Sequence, residues 1–357
     1  MPIEEKHCFV CANTAQGFVD YFSSNLEGLD RVFILKGGSG TGKSTMMKKI
    51  GEAYQDCDYP VEYLHCSSDP HSLDGVIIPD LSAAVVDGTS PHVVEPVLPG
   101  AIEDYVNLGL ALERSKLAPH KAEMLACKQA IKAQYQAVYE RLAEAGTILT
   151  PLSANQPPEE DLLTSELTTE IIDKILGPQV HMQTARARHR FYAALDPEGT
   201  SYVGLSLIHD CGQRYGISGP SASRLLDQLQ QAAVWHGYDA DVYHNNLQPG
   251  DIDFIYLPAL DACVYNARIP VLAAQGRSGD TLYDFTQPLP DKRTEEQIAQ
   301  LQAQQTQYDQ AIQAASAALA QARQHHDALE KRYYPAVDFT VVEQLHDAIL
   351  AQLATLG

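Results

Sequence analysis

The chain has 357 residues, with 46 Asp and Glu against 25 Lys and Arg, a net charge of −21. A surface that acidic repels phosphate backbones and anionic lipid, so neither nucleic acid nor a membrane surface is an expected partner. Hydrophobic residues at 45% and charged ones at 20% exclude a disordered chain and support cores for two or three domains.

At the start, Met-Pro-Ile-Glu-Glu-Lys has neither the basic nor the apolar segment of a secretory leader. No apolar run reaches the roughly 20 residues of a membrane span. Seven scattered cysteines suit reduced thiols, so a cytoplasmic protein is expected. His7-Cys8-Phe9-Val10-Cys11 contains a C-x-x-C, but no second pair follows at zinc spacing, and neither zinc nor redox chemistry is expected of it.

The strongest local signal comes next. Val32 to Leu35 is a short apolar run of the kind that forms a buried parallel strand. It leads into Gly37-Gly38-Ser39-Gly40-Thr41-Gly42-Lys43-Ser44-Thr45, which matches G-x-x-x-x-G-K-[ST]. Met46, Met47, Ile50, Ala53 and Tyr54 then recur at helical spacing. Strand, glycine loop and helix are the context that the motif requires. Glycines let successive N–H groups point inward at a phosphate, and the helix N-terminus adds positive potential. Lys43 is expected to reach the β/γ-phosphates of ATP, and the Ser44 hydroxyl to ligate Mg²⁺. Ala83-Ala84-Val85-Val86 would deliver Asp87 to a neighbouring strand end as the second metal ligand, with Asp80 the competitor behind Pro79. Beyond it, Thr89, His92 and Glu95 are candidates for sensing the γ-phosphate or orienting water, each reading otherwise as structural, with Glu95 the catalytic choice.

Two helical stretches follow each strand-rich part. Leu117, Met124, Ile131, Val138 and Leu142 form one stripe, and Pro157-Pro158 separates it from a helix around 160–176. Ile298, Leu301, Tyr308, Ile312, Ala315, Leu319, Ala322, Leu329 and Tyr333 form a longer heptad-like one, and Pro335 ends it before an amphipathic helix over 342–356. Two helical hairpins are expected, packed locally or on each other, with partner binding as the alternative use.

Shifting the sequence by 179 places sets 44–91 against 223–270 without a gap. Eleven of these 48 positions are identical, among them Ser44/Ser223, His65/His244, Asp74/Asp253 and Pro79/Pro258; chance gives about three. Upstream, at a shift of 182, His7, Phe9, Ala12 and Gly17 face His189, Phe191, Ala194 and Gly199. The chain is a tandem duplication, divided into 1–110, a hairpin over 111–180, a repeat over 181–290, and a coiled hairpin over 291–357. In the repeat the lysine has become Ala222, Pro220 removes one amide donor, and Asn266 replaces Asp87. One live site and one degenerate site are expected. His65, Pro70 and Asp74, present in both copies, read as structural.

With these residues in view, the chain resembles a bacterial family of tandem P-loop NTPases known as predicted ATPases or nucleotide kinases. The resemblance rests on Gly28-Leu-Asp-Arg-Val-Phe-Ile-Leu-Lys-Gly-Gly38, Glu62-Tyr-Leu-His-Cys-Ser-Ser68, Asp74-Gly-Val-Ile-Ile-Pro79 and Val86-Asp-Gly-Thr-Ser-Pro-His92. It implies two α/β P-loop domains. Members look as if both loops are intact, and this chain departs from that pattern in its second. The expected activity is Mg²⁺-dependent ATP hydrolysis used as a conformational switch or under a partner's control. A small-molecule or nucleotide kinase and a nucleotide-gated scaffold are the alternatives. No guanine-reading motif is visible, which favours ATP.

Overall fold

The computed structural model describes residues 5–154, 159–288 and 293–357. Pro157-Pro158 and the leader reading of residues 1–4 lie outside them. The first half contributes six strands to the main sheet: β1 (Glu5–Phe9), β2 (Arg31–Lys36), β3 (Val61–Cys66), β4 (Asp69–Ile78), β5 (Ala83–Asp87) and β6 (Glu103–Asn107). The second contributes β7 (Ala187–Phe191), β8 (Gln213–Ser218), β9 (Ala240–His244), β10 (Ile252–Leu257), β11 (Ala262–Asn266) and β12 (Thr281–Asp284). All twelve belong to one sheet, in the order β12-β8-β11-β10-β9-β7-β1-β3-β4-β5-β2-β6.

That order is a palindrome about β7 and β1. Those two strands pair antiparallel at Phe9 and Phe191, which the shift of 182 makes equivalent. The duplication is therefore a pseudo-twofold axis through the middle of a continuous sheet. Within the first half β1, β3, β5, β2 and β6 run one way and β4 runs against them. The result is an α/β fold with a large, mixed, mostly parallel sheet, and not two separate sheets in the expected divisions. One face forms a single core across both halves, with Val32, Ile34 and Leu64 joined to Tyr243, Phe254 and Tyr265.

The seam carries charge as well as apolar packing. Arg190 is fully buried and binds Glu62, while Arg188 donates to Asp241 at 2.8 Å, and Lys6 approaches Asp241 at 3.7 Å. Glu62 and Asp241 are equivalent positions. Burial pushes both carboxyls up, but the guanidiniums outweigh it, holding Glu62 below its ordinary range and Asp241 at about 2. Equivalent imidazole pairs flank the seam, His7 with His65 at 2.7 Å and His189 with His244 at 2.8 Å. Burial and the neighbouring ring push His244 down to about 4.

The long helices of the two arms pack on each other, one of the expected arrangements, while the short helices go to the opposite halves. The described helices are α1 (Lys43–Gln55), α2 (Lys121–Ala154), α3 (Ser165–Leu176), α4 (Ala222–Trp235), α5 (Glu295–Tyr333) and α6 (Phe339–Leu353), besides shorter turns. The long helices α2 and α5 pack on each other across the two halves, through Val138, Leu142 and Ala145 against Ala311, Ala315 and Leu319. They run antiparallel, since Arg332 near the end of α5 pairs with Glu123 near the start of α2 at 2.8 Å. A Thr294/Gln297 capping box starts α5, and a Thr164 cap starts α3.

The shorter helices are exchanged. α3, from the first copy's arm, buries Ile171, Ile172 and Ile175 on the second half's core. α6, from the second copy's arm, buries Val342, Ile349 and Leu353 against Met46, Met47 and Ile50 in the first. Each such side chain contributes roughly 1.5–3 kcal/mol on burial, so each half is closed by several kcal/mol of packing from the other's arm. Periodicity predicts these faces but not the surface that each one covers. Ile298, which the heptad pattern assigns to the seam, is exposed instead.

Candidate functional site

The glycine loop joins β2 to α1 at the end of the sheet where Asp87 also lies. Leu35 pairs with Asp87 in parallel register, so the strand ends coincide. Asp80 sits in a turn after β4, which runs the opposite way, and is thereby placed at the far end of the sheet. Gly40 and Gly42 adopt positive φ of 68° and 87°, a region that side chains disfavour. Thr41 Oγ1 donates to the Gly38 carbonyl at 2.9 Å and closes the loop on itself. Lys43 Nζ donates to the same carbonyl at 3.0 Å and lies 3.6 Å from Asp87 Oδ2. The Thr89 amide and hydroxyl both donate to Asp87 Oδ1, at 2.8 and 2.6 Å. Lys36 Nζ donates to the Gly88 carbonyl at 2.6 Å, tying the strand before the loop to the turn after Asp87.

Ser44 has a role that the motif does not disclose. Its hydroxyl accepts the Leu73 N–H at 3.0 Å. In the second half Ser223 accepts the Ile252 N–H at 2.9 Å, the equivalent bond. The serine thus anchors α1 or α4 to the antiparallel strand in both halves. Glu95 is exposed and accepts from Tyr105 OH at 2.5 Å, while the Lys36 ammonium lies over the Tyr105 ring, 5.2 Å from its centre. Glu95 belongs to the rim near β6, and no hydrogen bond or ion pair joins it to Lys43 or Asp87 among the described residues.

The end of α5 lies on the loop. The His326 ring nitrogen Nε2 is 3.3 Å from Ser39 Oγ. A methyl group at Gly38 would meet the Tyr333 ring at 2.7 Å, and one at Gly40 would meet Glu330 Cγ at 2.6 Å. These glycines permit close approach of the second copy's arm as well as a tight loop. The second loop has a related cover, with Ser221 donating to Asp161 beside Gly219. Neither cover is legible from motif spacing, because each brings together residues more than 50 positions apart.

Behind Asp87 stands a group of three residues, of which the duplication argument assigns only Asp74 to structure. Asp74 Oδ1 lies 3.5 Å from His92 Nε2, and His92 Nδ1 lies 3.4 Å from Cys11 Sγ. All three residues are buried. Burial pushes the Asp74 carboxyl up, opposed by His92 and raised further by Asp87. Burial also pushes the Cys11 and Cys66 thiols well above their ordinary values. His92, a candidate for the γ-phosphate that reads otherwise as structural, faces this cluster, between the rings of Phe18 and Phe22.

No helix among the described residues is long and apolar enough to cross a membrane. Scans against protein-family models, curated proteins and solved structures return no match for this chain.

Proposed function

We propose that the chain binds ATP·Mg²⁺ at residues 37–45 and hydrolyses it, using the nucleotide state to move the arm of the second half. The observation that carries this reading is the convergence of Lys43, Asp87 and the end of α5 on one glycine loop. Loop amides and the α1 N-terminus suit an anion, and Lys43 would exchange the Gly38 carbonyl for phosphate oxygens. A hard cation needs oxygen ligands, and the Asp87 carboxylate with the second lone pair of Ser44 fits that need. When bound, Mg²⁺ would neutralise charge on the β- and γ-phosphates. Glu330 adds negative charge where phosphates would approach, so nucleotide binding and the seating of α5 on the loop oppose each other. That opposition favours a switch over a kinase or a passive scaffold, and gives the family resemblance a concrete form.

Calorimetry with a non-hydrolysable ATP analogue and Mg²⁺ tests it. One site per chain is expected. Lys43→Ala should abolish it, since a charge-assisted hydrogen bond to phosphate is worth roughly 1.5–3 kcal/mol and the ammonium makes more than one. Glu330→Gln should tighten binding roughly threefold, the scale of one partly exposed charge interaction. Two sites of similar affinity, or binding indifferent to Lys43→Ala, would overturn the reading.

A further inference from the structure

We infer that Cys11, Asp74 and His92 form a site for one zinc-class divalent ion, buried behind the strand end that carries Asp87. The thiol sulfur, one carboxylate oxygen and one imidazole nitrogen lie within 4.8 Å of one another. Tetrahedral zinc, with legs of about 2.0–2.3 Å, separates its ligand atoms by about 3.5 Å, so a small turn of the ring brings three ligands to one ion. The donor set is that of zinc: a soft thiolate with imidazole and one carboxylate.

A second observation points into the same space. Asp74 Oδ2 is buried without a hydrogen-bond partner among the described residues. A buried carboxylate oxygen left without a partner is costly, and a cation supplies what it lacks. The Cys66 thiol also lies near this carboxylate, outside the three-residue group.

The second half makes the comparison from within the chain. Cys11, Cys66 and His92 are replaced there by Ala193, Asn245 and Val271, and only the aspartate remains, as Asp253. Its Oδ2 is satisfied directly, by Tyr192 OH at 2.8 Å and Asn245 Nδ2 at 3.2 Å. Asn245 donates from the position of Cys66, and Tyr192, beside the position of Cys11, supplies the second bond. The ion would tie three segments together: the strand after β1, the strand β4, and the turn that follows Asp87. Its role is to fix that turn, and the inference does not depend on nucleotide binding.

Protein stripped with a chelator and titrated with Zn²⁺ against a chromophoric competitor should take up one ion per chain. The thermal midpoint should rise on addition. Cys11→Ala and His92→Val install residues that the second half already carries, and each should weaken binding on the order of 100-fold or more, beyond the range of outer-shell changes. Cys57→Ser, at an exposed thiol, should leave it unchanged. With Co²⁺ in place of Zn²⁺, wild-type protein should show a thiolate-to-cobalt charge-transfer band, a readout that remains if a variant fails to fold. Absence of that band, or full Zn²⁺ retention in both cluster variants, would overturn the site.

Discussion

The two halves share a frame and differ in what stands at its ends. Strand for strand they match about the seam, and Ser44 and Ser223 make the same bond to Leu73 and Ile252. At the loops they part. Lys43 bridges Gly38 and Asp87, whereas Ala222, Pro220 and Asn266 leave the second loop without lysine, amide or acid. Even the retained aspartate changes its surroundings, from His92 at Asp74 to Tyr192 and Asn245 at Asp253. Identity between copies therefore separates two kinds of residue only when the neighbours are known. Ser44 is shared because the frame uses it, while Asp74 is shared although its two settings differ.

The largest expected effect lies at the seam, which belongs to both halves. Arg190 is buried against Glu62 and Asp241, one acid from each half. Arg190→Met would leave both carboxylates short of charge in a dry setting, at a cost of about 3–5 kcal/mol. Chemical denaturation should show one transition shifted as a whole. Two separated transitions, or a loss below about 1 kcal/mol, would show that the halves stand independently.

The aspartate comparison predicts a pH dependence. Burial lifts Asp253 from 3.8 to about 7, even with two donors opposing it. Between those values the folded carboxyl holds a proton that the unfolded one has released. The folded state then binds more protons than the unfolded, so this contribution falls as pH rises from about 4 to about 7, and is level above. Asp253→Asn removes the slope. It should stabilise the protein by on the order of 2–4 kcal/mol at pH 8 and by much less at pH 4. Thermal midpoints at the two pH values decide it; an equal change at both would mean that Asp253 is ionised in the fold throughout.

What the sequence discloses follows from what is local. The β2-loop-α1 unit, the missing second lysine and the duplication are all readable from short windows or a fixed shift. The strand order at the seam is not, because the pairing of Phe9 with Phe191 joins segments 182 positions apart. Nor is the exchange of α3 and α6. An amphipathic stripe states that a face is buried, and Val342 or Ile171 would be equally apolar on either half. The Cys11 cluster is hidden for the same reason: its members come from three separate segments, and the C-x-x-C spacing points to Cys8, which lies instead beside Arg190. Glu330 on the loop carries no motif at all.

The smallest effect tests the most specific lesson, that Ser44 does for its half what Ser223 does for the other. Each hydroxyl accepts one strand N–H, at 3.0 and 2.9 Å, and each is only partly buried. Replacing it with alanine leaves that N–H to water or without a partner, at a cost of about 1 kcal/mol. Ser44→Ala and Ser223→Ala should therefore destabilise the chain alike, within a few tenths of a kcal/mol. On the proposed nucleotide turnover their effects should not be alike. Ser223→Ala should leave turnover unchanged, while Ser44→Ala should raise the Mg²⁺ concentration needed for half-maximal rate, because it alone directly follows a lysine that lies 3.6 Å from an acid, Asp87. Equal stability losses with unchanged Mg²⁺ dependence would assign Ser44 wholly to the frame, and the metal role would then rest on Asp87 alone.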